Sequence, residues 1–550
     1  MPYRGRHLQG YRGRGTLIGM TEAPKVLAIC LEAAEPSLVE RWCKEGQLPV
    51  LDRLRRGGVW MRLDCPSYIS SGSVWPSMTT GTNPAKHGIG FFHRELKSGS
   101  YHIIKKYADQ MACEPFWQCL DDAQIRSCIF DIPVTRPLEM ANGVIVVDWG
   151  SEHPSWKPSS YPANLLPDLV QKFGRHPLAN WYQHQPQSKE ECKTVASKLL
   201  KGIDDRTRII KHLLETDSHD VMVCNFAEPH WAGHIFWHIH DKGHPQHDAE
   251  IRAHCGDVML DTYRACDRAV GDLIEAFPNA NILVLSNIGM GTHAGGDMMV
   301  PEVLDKLGMS GEPRTSIGAK STIRDLVFGG RGGQLALQHT ENLIGVQNIA
   351  HLKRLLPERL WDQWSRRFLD LGNAWESSRA FQLPADNSTL IRINLKGREP
   401  KGRVQPGDDY NRLCEDLAQA FGALVEPTTG QPAVDRVIKL RATLSGDRID
   451  HLPDLAVVWN NLGVPIEALE SPRIGRIALP AHNKRPGGHW HEGFLLANGP
   501  RFRHGVTLDN ADLMDIAPTI MALYGLETPS IMDGRVVDAA FCGSPEAGKY

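Results

Sequence analysis

The chain lacks any stretch approaching the roughly 18 apolar residues that a membrane-spanning helix needs, so no helical membrane span is expected. It also lacks a strong charge of either sign. With 61 basic and 64 acidic residues the formal net charge is -3, too little field to make nucleic acid or an anionic membrane an expected partner. There is no CxxC pair and no regular cysteine spacing. The 12 cysteines run scattered from Cys30 to Cys542, which reads as reduced thiols rather than a disulfide framework and points to a cytoplasmic protein. The first 21 residues are basic and Gly-rich with no apolar h-region, so they read as a disordered extension and not as a secretory signal. No internal repeat or low-complexity tract stands out.

What the chain does contain is ordinary globular material: 550 residues, 41% hydrophobic and 23% charged, enough to bury a sizeable core. Short β-branched runs bounded by turn residues recur at 26–33, 125–132, 143–149, 221–226 and 281–287. Each is apolar on both faces, as a central parallel strand buried between helices requires. Helical patterns at 193–216 and 261–277 alternate with them, which predicts a three-layer αβα sandwich with a mainly parallel sheet. Residues 22–300 are expected to form the first part of this core, 301–380 a helical insertion or cap, and 381–550 its completion.

In such sheets ligands collect at the carboxyl ends of the strands. Glu32 ends the first run and suits either a cation or a helix cap. The Ser/Thr-rich turn at 67–89 enters a helix expected to stop near Gly81; a serine at its start is either a cap or an activated hydroxyl. His230, His234, His238, His240 and His244 crowd into 228–244 after another run, and His230 and His234 are four apart, so one side of a helix can present both to a metal. Gly-rich turns at 286–296 and 485–500, the latter with His489 and His491, complete the set and could be ordinary turns.

Taken in order, these places resemble the alkaline phosphatase superfamily, and most closely its type I phosphodiesterase/nucleotide pyrophosphatase branch. The resemblance rests on Cys30-Leu31-Glu32-Ala33, on Leu48-Pro49-Val50-Leu51 through Leu54 and Gly58, and on Thr80-Gly81 with Asn83-Pro84-Ala85-Lys86-His87-Gly88-Ile89. It continues in His230-Trp-Ala-Gly-His234, Ser286-Asn287-Ile288-Gly289-Met290, His489 before Glu492-Gly493, and the 393–402, 515–520 and 532–537 stretches. It implies an alkaline-phosphatase-like fold, with Ser71 matching the nucleophile beside Ser70 and Ser73 and backbone N–H groups after Ser71 holding developing oxyanion charge. It also implies a metal half-site of His230, His234 and His489, where histidine replaces an aspartate of the family pattern.

The other half-site implied by the resemblance contains Glu32, Ser71 and Asn287, with Ile288 where the family has a histidine. Isoleucine cannot coordinate and Asn is a weaker ligand than Asp, so one divalent ion, zinc above others, is expected rather than two. Glu32 then reads as a ligand or as a base for Ser71, and His293 is a candidate to replace the missing histidine. Arg398 and Lys401 would grip a substrate anion, or stand as solvated loop charges. The function implied is metal-dependent hydrolysis or transfer of a small-molecule phosphodiester, phosphomonoester or related ester. The alternative is a catalytically weakened member that binds a ligand or partner in the old cleft.

Overall fold

A computed structural model of the chain describes residues 24–90, 94–151, 157–179, 185–186, 188–311, 374–385, 388–478 and 485–543. The basic extension at 1–21 and most of the expected cap, 312–373, lie outside the described residues. No helix among the described residues is long and apolar enough to cross a membrane.

All five β-branched runs become neighbours in one sheet. Its order is Asn281–Ser286, Val26–Leu31, Val221–Phe226, Ser127–Phe130 and Gly143–Val147, and every one of these pairings is parallel. Three of these strands, 26–31, 221–226 and 281–286, are buried at every residue, because helices cover both faces. Past Asn281–Ser286 the sheet continues antiparallel with Glu492–Asn498 and then Val59–Asp64; at the far edge Ser159–Tyr161 is antiparallel to Gly143–Val147. The helices Lys189–Thr216, Glu228–His240 and Val258–Ala276 pack on one another, while Ser71–Thr80, Phe116–Asp122 and Ile516–Ala522 form a second group. The result is a mainly parallel, helix-flanked sheet, the architecture expected from the sequence.

The stretch expected to complete this core contains more than strands of its sheet. Residues 380–478 build two further antiparallel sheets, ordered Ala380–Leu383, Thr389–Ile393, Leu455–Trp459, Val434–Lys439 and Gln431–Pro432, Val425–Glu426, Ala468–Ser471, Gly475–Ala478. They enclose their own apolar cluster, in which Leu417 and Phe421 of the helix Asp408–Gly422 lie with Ile391, Val457 and Leu469. Only from Glu492 does the chain rejoin the main sheet. Pro518 falls in the first turn of the helix Ile516–Ala522, where a missing N–H costs no helical hydrogen bond.

Candidate metal centre

The helix Glu228–His240 starts two residues after the buried strand Val221–Phe226, with Pro229 in its first turn. His230 and His234 therefore project from one side of it at the carboxyl end of the sheet. His489 arrives from the strand Gly487–Trp490, which pairs antiparallel with Gly289–Thr292 so that His489 lies opposite Met290. Glycine makes this meeting possible. A methyl at Gly487 would sit 2.0 Å from the Gly233 carbonyl oxygen, and one at Gly233 would sit 2.5 Å from Met290 Cγ. Helix and strand touch backbone to backbone, and the Gly-rich turns exist for that approach.

The three imidazoles converge on one point. Nε2 of His230 lies 2.9 Å from Nε2 of His234 and 3.1 Å from that of His489; His234 and His489 are 3.1 Å apart. All three rings are buried. His234 Nδ1–H donates to the Gly487 carbonyl at 2.9 Å, which leaves the lone pair on Nε2, facing its neighbours. Burial pushes His234 and His489 well below the usual histidine pKa, with Arg485 and the neighbouring imidazoles adding to the shift. Nitrogen lone pairs crowded this closely repel one another unless a cation takes them. The centre of such a triangle is about 1.7 Å from each corner, short of the ~2.0–2.1 Å of a zinc–nitrogen bond, so the three nitrogens are close enough together to share one ion. The donor set fits a single zinc or similar transition ion. Among the described residues it is the one group of three or more His, Cys, Asp or Glu with that spacing.

Glu32 stands beside the trio and outside it. Its Oε1 accepts from Trp75 Nε1–H at 3.2 Å and its Oε2 from Asn225 at 2.8 Å. Oε1 also lies 3.3 Å from His230 Nδ1. The helix cap it was expected to rival belongs to Glu35, whose side chain accepts from Ser37 N–H. Trp75 sits one turn after Ser71 on the helix Ser71–Thr80, so Glu32 joins the serine helix to the histidine helix.

The three serines separate cleanly. Ser70 is fully buried and caps the helix by accepting from Gly72 N–H; Ser73 is fully buried and faces the Ile89 and Gly90 carbonyls at 3.2 and 3.3 Å. Ser71, the first helical residue, retains exposed surface. The expected oxyanion donors are not available, because Gly72 N–H donates to Ser70 Oγ and Ser73 N–H to the Ser70 carbonyl. Asn83-Pro84-Ala85-Lys86-His87-Gly88 serves as a brace: Asn83 and Lys86 bind Asp533, Gly88 has φ 77°, and His87 Nδ1 accepts from Ile89 N–H while its other nitrogen meets Ser77 Oγ at 3.0 Å. Helix Ser71–Thr80 ends as expected at Gly81, in the left-handed conformation.

Other expected site residues are used elsewhere. Asn287 is buried with its Oδ1 3.4 Å from Ala33 N–H, Ile288 is a core residue, and neither belongs to the trio. Arg398 binds Asp454 through both terminal nitrogens, Glu399 through Nε and the Ile393 carbonyl through Nη2. It is a buried strut of the 380–478 unit and has no fork left for a substrate. Lys401 pairs with Glu376. His238, His240 and His244 also lie outside the trio; His240 contacts Asp257 and Arg41. A residue the sequence reading passed over does reach the site. Arg485, four positions before His489 in the Arg-Pro-Gly-Gly run, brings Nη2 to 2.5 Å from His234 Nε2. Beside it His293 is held at about 4, through burial first and Arg485 second.

With this geometry in place, comparison with known proteins becomes informative. A family model described as type I phosphodiesterase / nucleotide pyrophosphatase matches residues 26–461. The chain belongs to this family. That places it with phosphodiesterase- and pyrophosphatase-type hydrolases, and the matched span holds Glu32, Ser71, His230, His234 and Asn287 but ends before His489. No curated protein matches the chain. Among solved structures it is similar to phosphonoacetate hydrolase from Sinorhizobium meliloti in complex with phosphonoformate, at 15% identity and TM-score 0.46, covering 90% of this chain and 94% of that one. It is also similar to an inactive variant of murine ectonucleotide pyrophosphatase / phosphodiesterase 5 in complex with AMP, at 13% identity and TM-score 0.45, covering 92% and 96%. The human ectonucleotide pyrophosphatase / phosphodiesterase 5 gives 11% identity and TM-score 0.44, covering 93% and 97%.

Proposed function

We propose that this family member hydrolyses or transfers a small-molecule phosphoester, using one divalent ion held by His230, His234 and His489 and Ser71 as nucleophile. The observation that carries the reading is the triangle of buried Nε2 atoms, 2.9 to 3.1 Å on a side. A zinc ion bound there would supply Lewis-acid stabilisation of charge on the reacting group. Ser71 begins a helix, whose positive end favours its ionised hydroxyl. Its Oγ bonds to phosphorus as the bond to the leaving oxygen breaks. Its proton ends on the leaving alcohol, and water then splits the phosphoserine ester to restore the hydroxyl.

Glu32 is assigned to holding His230 rather than to ligation or base catalysis. Its oxygens already face Trp75, Asn225 and His230, the pattern of a carboxylate behind a metal-bound imidazole. With Asn287 and Ile288 turned to structural tasks, the second half-site offers no charged set for another ion.

Turnover of bis-p-nitrophenyl phosphate and p-nitrophenyl phosphate, with and without chelator, tests the reading. Both chelation and Ser71→Ala should abolish it, the variant while retaining about one equivalent of metal. Two equivalents of metal, or activity that survives both treatments, would sink it. A metal-loaded wild type inert toward both esters would favour the ligand-binding alternative.

A further inference from the structure

Two residues before His230, the helix Glu228–His240 begins on a glutamate whose carboxylate belongs to a closed group of buried polar side chains. Arg206, from the helix Lys189–Thr216, donates to Glu228 Oε1 from Nε at 3.2 Å and to Asp131 Oδ2 from Nη1 at 2.5 Å. His176 Nδ1 accepts from Leu178 N–H, so the ring proton lies on Nε2, which donates to the same Glu228 Oε1 at 2.9 Å. The side chains of Arg206, Asp131, Glu228 and His176 are all fully buried. Glycine leaves room for them: a Cβ on Gly202 would lie 2.9 Å from Glu228 Oε1, and one on Gly150 2.8 Å from Arg206 Nη2.

Apolar side chains of similar volume would hold these elements together at least as well, because each buried ion gives up its water. What an ionic group adds is direction, since a hydrogen bond weakens steeply when bent and apolar packing does not. That direction is spent on Glu228, whose Oε1 is fixed by donors from two separate segments. Pro229, with its locked φ, is the one residue between Glu228 and His230, so a movement of the carboxylate passes to the imidazole with little slack. Asp131 anchors the far end. It follows the strand Ser127–Phe130, accepts from Gly150 N–H as well, and holds a left-handed φ of 58° that a non-glycine residue keeps only where its neighbours impose it. The helix is thus gripped twice, at Gly233 against Gly487 and at Glu228 through Arg206. One grip alone would leave it free to turn about its axis. We propose that Arg206 is a positioning residue that, through Glu228, fixes the rotation of this helix and thereby the place of His230 Nε2 beside His489 Nε2. Its guanidinium faces Glu228, Asp131 and the Gly150 carbonyl, so it acts on the site through the helix. The consequence for an ion rests on the reading above that the trio binds one.

Cobalt(II) is the probe, because its visible absorption reports the geometry of a nitrogen-ligated site and its loading is read by titration. Full-length Arg206→Met should bind cobalt about 10-fold more weakly and with altered visible bands, as loss of the outer support of a ligand does. Arg206→Lys keeps the buried charge but reaches only one of the two carboxylates, and should lose about 3-fold; it carries the test if Arg206→Met does not fold. Arg398→Met, which removes another arginine buried against carboxylates, is the control and should unfold at lower temperature with cobalt affinity and spectrum unchanged. Unchanged affinity and bands in both Arg206 variants would overturn the proposal, as would an equal loss in Arg398→Met. If the wild type takes up no cobalt, the metal reading fails by itself, and crystal structures of the wild type and Arg206→Lys still decide the positioning. A shift of His230 Nε2 relative to His489 by about 0.5 Å or more supports it, and superimposable imidazoles overturn it.

Discussion

Gly487→Ala probes the contact that assembles the site. The glycine lies in a strand with an ordinary φ, so the substitution adds only a methyl group and no backbone strain. That methyl would meet the Gly233 carbonyl oxygen at 2.0 Å and Trp237 Cβ at 3.1 Å. Restoring an ordinary contact requires the strand and the helix to part by about 1.4 Å. His489 is two residues along on the same face of the strand, so it moves with the backbone. Separations of 3.1 Å to His230 and His234 would stretch toward about 4 Å, beyond what one ion bridges with ~2.0–2.1 Å bonds. Overpacking should cost about 1–3 kcal/mol of stability, and zinc affinity should fall by at least ~10-fold. Denaturant melts and chelator competition read the two quantities. Gly422→Ala is the control, since nothing lies within 4 Å of a Cβ there and its backbone is helical. Wild-type stability and zinc affinity in Gly487→Ala would refute the idea that glycine contact positions the third histidine.

Three further outcomes are expected. Glu32→Gln should weaken zinc binding about 10–100-fold, as loss of a carboxylate behind a metal-bound imidazole does; intact zinc affinity with abolished turnover would instead make Glu32 the base. Asp512→Asn should be stabilising above neutrality. Burial first, then Asp515, Asp64 and Asp533, raise the Asp512 pKa to about 6, so its ionisation costs the folded state stability as pH climbs from about 4 to 6 and leaves that cost in place above. Asparagine still caps Met514 N–H, and the variant should gain about 1–2 kcal/mol at pH 7.5 with the gain vanishing near pH 4; equal stability of both proteins at pH 7.5 in thermal melts would contradict this. Arg398→Met should lower stability by several kcal/mol without changing zinc binding, because it leaves the wholly buried Asp454 unpaired by its main cation; a normal melting curve would show that Arg398 is not the strut described.

Much of the fold was readable from local pattern. Val26–Leu31, Val221–Phe226 and Asn281–Ser286 are apolar at nearly every position, and such a run has little choice but to lie between two layers of helices. The pair His230 and His234 was readable too, since a spacing of four is a helical neighbour relation wherever the helix goes. The antiparallel pairing and separate core of the strands in 380–478 were not legible, because an antiparallel edge with mixed burial leaves a weak signature.

The rest depended on contacts between distant segments. Which of Ser70, Ser71 and Ser73 keeps a surface is set by packing against 89–90, and the fate of Arg398 by an aspartate 56 residues away. Residue type and short-range spacing determined by themselves a parallel α/β core and two imidazoles on one helix. Only the tertiary structure decided that His489 completes the triangle 255 residues from His234, that Glu32 stands behind it, and that Arg485 enters it. The reason is physical: periodicity records which face of an element is buried, while the partner on that face is chosen by shape and charge across the whole folded chain.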